Sequence, residues 1–152
     1  MYLRLSSIFS KIPAVLTSPG KDGKIRTQSD KKGDTTMENK FELLHLGIKT
    51  DDPVKAEETA RLLAMMFNLE VKMGNSSNFA GKYFECMKKE NSPGTNGHIA
   101  MATADVDAAK AELEGKGFSF RPETASYNED GSLKNIYLSG EFAGFAIHII
   151  KK

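Results

Sequence analysis

The chain has 152 residues, 39% hydrophobic and 27% charged, with 21 Lys and Arg against 20 Asp and Glu, three His and one Cys. That balance belongs to a folded globular chain of about one domain. No apolar run approaches the roughly 20 residues that span a bilayer, and a formal net charge of +1 gives no field to recruit nucleic acid or a membrane surface. The lone Cys86 excludes an intrachain disulfide scaffold and suits a reducing, cytoplasmic setting.

Composition shifts along the chain. Residues 1–36 carry seven basic and three acidic side chains, a net of +4, which leaves 14 basic and 17 acidic in 37–152, a net of −3. From Thr17 to Thr36 the only large apolar residue is Ile25. Such a stretch buries too little to offset its ordering entropy, so residues 1–36 read as a disordered basic extension. The first sixteen residues, MYLRLSSIFSKIPAVL, lack acids and contain Ser. Two readings stay open for them: an organellar targeting peptide, or sequence upstream of a natural start at Met37. Arg4, Lys11 and Pro13 break the apolar stretch that a secretory signal needs. Residues 37–152 then form the single domain.

The domain begins with FELLHLGIK (41–49), spaced as a strand. Asp52-Pro53 supplies an N-cap and a first-turn proline, and Val54, Ala56, Ala60, Leu63 and Met66 follow at helical spacing. Leu69–Met73 reads as a second strand, Asn78–Ala80 as a short third and Tyr83–Lys88 as a fourth. After a loop at 91–97 the pattern restarts. Gly97–Thr103 is a strand, Asp105 caps a helix ending at Gly115 or Gly117, and strands follow from Phe118, over Asn135–Ser139 and over Phe145–Lys151.

The two halves align at an offset of 53 residues, pairing His45 with His98, Thr50 with Thr103, Asp52 with Asp105 and Ala56 with Ala109. The architecture this implies is α+β: two βαβββ modules, 41–90 and 97–151, whose curved mixed sheet surrounds a cleft with the helices outside. Strand alternation assigns the faces. Leu44, Leu46 and Ile48 face the first helix, as do Phe84 and Cys86; Ile99, Met101, Phe145, Ile147 and Ile149 share that side in the second half. His45, His98 and His148, with Tyr83, Glu85 and Met87, then point into the cleft.

HLGI (45–48), HIAM (98–101), YFECMK (83–88) and the closing GFAIHII (144–150), in this order of elements, resemble the vicinal oxygen chelate superfamily. That superfamily includes glyoxalase I, bleomycin-binding proteins and extradiol dioxygenases, and the likeness covers about residues 41–151. The chain also bears a weaker resemblance to modules associated with bacterial 2-keto-3-deoxy-6-phosphogluconate and 4-hydroxy-2-oxoglutarate aldolases. The superfamily takes metal ligands from the first, fourth, fifth and eighth strands, which implies His45, Glu85, His98 and His148. A glutamate usually holds the last position. The aspartate-proline-aspartate-glycine approach to it is replaced here by SGEFAG (139–144).

Residue chemistry supports such a centre. A single histidine on an apolar strand is more often a hydrogen-bonded core residue than a ligand, and Glu85 has an alternative as an ion-pair partner of Lys82. Three of three histidines on one inner face beside a carboxylate favour a divalent ion: Zn, Ni, Fe or Mn. Glu85 is the candidate catalytic base. Tyr83, Met87, Arg121, Tyr127 and Tyr137 are candidate lining residues, with Arg121 suited to a carboxylate or phosphate. The Met65-Met66 pair reads as core. The expected protein is a homodimer binding a small oxygen-rich metabolite. A metal-dependent lyase or isomerase acting through an enediolate is favoured over a metal-dependent dioxygenase; the alternative is a non-catalytic binding or accessory module.

Overall fold

A computed structural model describes residues 39–89 and 92–152; the expectations for 1–36 lie outside the described residues. The elements are β1 (Glu42–Lys49), α1 (Pro53–Phe67), β2 (Val71–Met73), β3 (Ser77–Ala80), β4 (Phe84–Met87), β5 (Gly97–Thr103), α2 (Val106–Gly115), β6 (Phe120–Tyr127), β7 (Leu133–Leu138) and β8 (Phe145–Lys151). The Asp52 carboxylate accepts from the Val54 and Lys55 amides at 2.7 and 3.0 Å, satisfying donors that the first turn of α1 leaves free. Asn68, left-handed at φ 52°, closes that helix. Asp105 caps α2 through the Ala108 amide at 2.9 Å, and Gly117 at φ 92° turns the chain out after it.

The eight strands form one sheet in the order β2-β3-β4-β1-β5-β8-β7-β6. Each module repeats the same plan: its first and last strands pair in parallel (β1 with β4, β5 with β8), and the others add outward in antiparallel fashion. The modules join edge to edge through antiparallel β1 and β5, giving an open, continuous sheet. Strand ends differ from the sequence expectation by one or two residues in β1, β2, β3, β4 and β7, and by more in β6. Phe118 belongs to the helix exit, its amide bonded to the Leu113 carbonyl at 3.0 Å, so β6 starts two residues later. That strand then runs to Tyr127 as an irregular, largely exposed edge.

Two cores lie between sheet and helices. Under α2, Val106, Ala109, Phe120, Leu133, Ile136, Leu138 and Ile149 pack together; under α1 the cluster is Ala56, Ala60 and Cys86, backed by Ile48 and Leu63. The stripe Ala56–Ala60–Ala64 is what α1 buries, and its small side chains admit close approach to the sheet. The expectation for Val54, Met65 and Met66 is corrected here: they are 65%, 72% and 58% exposed, on the outer side of the helix. Leu44 is also more exposed than alternation implies, beside a register irregularity between Leu43 and His45. Among the described residues, no helix is long and apolar enough to cross a membrane.

Candidate metal centre

Strand register lays two rows of side chains across the face of the sheet opposite the helices. One runs Phe79, Glu85, Gly47, His98, Ala146 through β3, β4, β1, β5 and β8. The other runs His45, Ala100, His148, Tyr137, Arg121 through β1, β5, β8, β7 and β6. Large and small residues alternate: His98 stands between Gly47 and Ala146, and Ala100 separates His45 from His148. Gaps between the imidazoles let the rings lean toward one another. Their ligating nitrogens all lie within 4.8 Å of each other.

Glu85 completes the group. Its Oε2 is 3.0 Å from His45 Nε2 and 3.2 Å from His98 Nε2, and the two Nε2 atoms are 3.0 Å apart. Its Oε1 accepts from the Ser77 hydroxyl at 2.6 Å. Burial raises the Glu85 carboxyl, but hydrogen bonds from His45, His98 and Ser77 outweigh it and hold the group well below the usual carboxylate range. His148 is pushed down to about 3 by burial and by the neighbouring His98 and His45. It is therefore a neutral imidazole at pH 7. Its Nδ1 is hydrogen-bonded to the Asn135 side-chain oxygen, while its Nε2 is buried and has no partner.

This donor set fits a cation better than it fits hydrogen bonding. Three mutual contacts among Glu85 Oε2, His45 Nε2 and His98 Nε2 require three protons, and two ring nitrogens supply at most two. The three atoms are close enough together that one first-row divalent ion could be held by all of them. The orphaned Nε2 of His148 offers a further lone pair from the neighbouring row.

The other sequence candidates divide. Tyr137 stacks on His148, ring centroids 4.6 Å apart and planes at 19°, and its phenol is pushed up to about 12 by burial and then by the Glu85 charge. Met87 is buried opposite Ser77. Arg121 stands opposite Tyr137 at the end of the second row, its guanidinium paired with Glu123 at 2.8 Å. Tyr83 is 47% exposed in the turn before β4, with the Lys82 ammonium 5.1 Å from its ring centre. Among the described residues the ion-pair partners of Glu85 are His45 and His98, not Lys82. Tyr127 lines a separate concavity with Asn128, Glu129, Asp130, Lys134 and Lys151, six residues along β6 from Arg121 and opposite Leu133 rather than Tyr137. Sequence reasoning missed Ser77, Asn135 and Gly47. Only a same-face count along β3 and β7 hinted at the first two, and the glycine in HLGI signalled the third.

Likeness to solved structures agrees with this plan. A hypothetical protein from Bacillus halodurans C-125 superposes with a TM-score of 0.53 at 17% identity, over 74% of this chain and 94% of that one. The fold is that of the vicinal oxygen chelate proteins. Methylmalonyl-CoA epimerases also align: the Mycobacterium tuberculosis structure at TM-score 0.49 and 16% identity over 72% of this chain and 86% of that one. The Streptomyces coelicolor enzyme in complex with 2-nitronate-propionyl-CoA gives 0.48 and 17%, over 72% and 93%. No protein-family model and no curated protein matches the chain. The expected tie to sugar-acid aldolases gains no support from these comparisons. In the vicinal oxygen chelate fold seen here, the four candidate ligands come from both modules of one chain: His45 and Glu85 from the first, His98 and His148 from the second.

Proposed function

We propose that this cluster on the inner face of the sheet is a divalent-metal centre, held by His45, Glu85, His98 and His148, that binds a small oxygen-rich metabolite and deprotonates it, as a lyase or isomerase of glyoxalase type does. The observation that carries the reading is the convergence of three imidazoles and one carboxylate oxygen with too few protons to satisfy their mutual contacts. When bound, a Zn, Ni, Fe or Mn ion supplies a Lewis acid that polarises a carbonyl.

The chain's own residues supply the rest. Glu85 is anchored through Oε1 by Ser77 and turns Oε2 toward the histidines; with Oε2 released from the ion and from its two imidazole contacts, that oxygen is the base that would accept the substrate proton. Met87 and the Tyr137 ring exclude water from one side. Arg121 offers a cation to a substrate carboxylate or phosphate. We further propose that the chain acts as a homodimer; the support is the apolar outer face of α1, where Leu62, Met65, Met66 and Phe67 are each more than half exposed.

The test is metal analysis of protein purified without chelator, beside His98→Ala. About one equivalent in the parent, lost in the variant, is expected. Less than about a tenth of an equivalent of any transition metal removes the reading. With metal present, consumption of the methylglyoxal–glutathione adduct is assayed next. Metal without turnover under Zn, Ni, Mn and Fe would leave a non-catalytic binding module.

A further inference from the structure

His148 differs from the other two imidazoles in how it is held. Its Nδ1 meets the Asn135 side-chain oxygen, and because an amide oxygen only accepts, Nδ1 carries the proton. His98 Nδ1 is buried with no partner, and no hydrogen bond engages His45 Nδ1 among the described residues. Tyr137, on the same strand as Asn135, stacks on the His148 ring and fixes its plane. The Asn135 amide fixes its rotation and tautomer. What remains is a buried Nε2 lone pair without a partner, on a ring within reach of His45 and His98.

We infer that Asn135 is a positioning residue: it locks His148 in the Nδ1–H tautomer so that Nε2, rather than an N–H, faces the cluster. This rests on the metal-centre reading for its functional meaning. A carboxylate needs no such partner, since either oxygen can donate electrons. An imidazole can present its lone pair or its proton, and the proton repels a cation. The residue on β7 beside it therefore decides whether this position ligates.

Two measurements on the full chain separate the tautomer from the metal. In metal-free protein, 15N chemical shifts of the His148 ring should report Nδ1 protonated in the parent, and a shift toward Nε2 protonation in Asn135→Leu. In titrations with Zn and with Co(II), Asn135→Leu should lose about 10- to 100-fold in affinity and change the visible Co(II) spectrum. Asn135→Asp, which accepts the same proton, should restore both. Nε2 protonation in the parent would overturn the inference, as would equal losses in the Leu and Asp variants, the signature of a merely structural role. If the tautomer follows the expected pattern but the parent binds no metal, the positioning role is upheld and the metal reading alone falls.

Discussion

Gly47 lies beneath the His98 imidazole: a Cβ on Gly47 would come within 2.2 Å of His98 Cε1 and 2.3 Å of Nδ1. The two residues are register partners on β1 and β5, the strands that join the modules. The missing side chain is the space in which the ring leans toward Glu85. Gly47→Ala should therefore push His98 out of the cluster. We expect more than about a tenfold loss of metal affinity, alongside about 1–3 kcal/mol of destabilisation from overpacking. Calorimetric metal titration and urea unfolding check the two effects; unchanged affinity would show that His98 is not seated by this gap.

Cys86 is fully buried against Ala56 and Ala60, and burial, with a smaller contribution from the Glu85 charge, pushes its thiol up to about 11. A raised value means that little thiolate forms near pH 8. As the chain's one cysteine, it gives a clean readout. A thiol-reactive chromophore should label less than about a tenth of the native protein on a timescale that labels urea-unfolded protein completely. Rapid native labelling would mean that α1 does not stay packed on β4.

Glu112 ties the chain entering β1 to α2. Its carboxylate takes Lys116 at 2.5 Å and both the backbone and side-chain amides of Asn39 at 2.8 Å. These bonds, that of Lys116 first, hold its value at about 2, below the ordinary 4.5. The folded state thus favours the charged form. The contribution is fully present above the ordinary value and is lost as pH falls through the depressed one. The parent should become easier to unfold between pH 4.5 and 2, and Glu112→Gln should flatten that part of the profile in urea melts taken at each pH. Identical slopes in the two proteins would exclude the tie.

Met65 and Met66, with Leu62 and Phe67, make the outer face of α1 apolar. If a second copy covers this face, Met66→Glu should shift a dimer to monomer at micromolar concentration in sedimentation velocity. As the side chain is 58% exposed, the change should cost the chain's own fold less than about 0.5 kcal/mol. A parent that sediments as a strict monomer would end the homodimer proposal.

Much of the inner face was legible because strand alternation is a local property. Phe145, Ile147 and Ile149 on one side oblige His148 to the other, whatever the strand pairs with. The same reasoning applies to Glu85 beside Cys86 and to His98 beside Ile99. Helix α1 was less legible. Its apolar residues surround the helix, so periodicity alone does not say whether the alanine stripe or the methionines face the sheet, and packing chose the smaller residues.

The sequence by itself determined the repeated modules, the capped helices and the face on which three histidines and a glutamate stand. Each is a matter of neighbours a few residues apart. Only the tertiary structure decided what those side chains meet. Gly47 seats His98, Ser77 holds Glu85 and Asn135 fixes His148 through pairings between strands. Strand order and register select those partners, and both are properties of the assembled sheet, since a one-residue slip in any strand would turn its side chain to the other face.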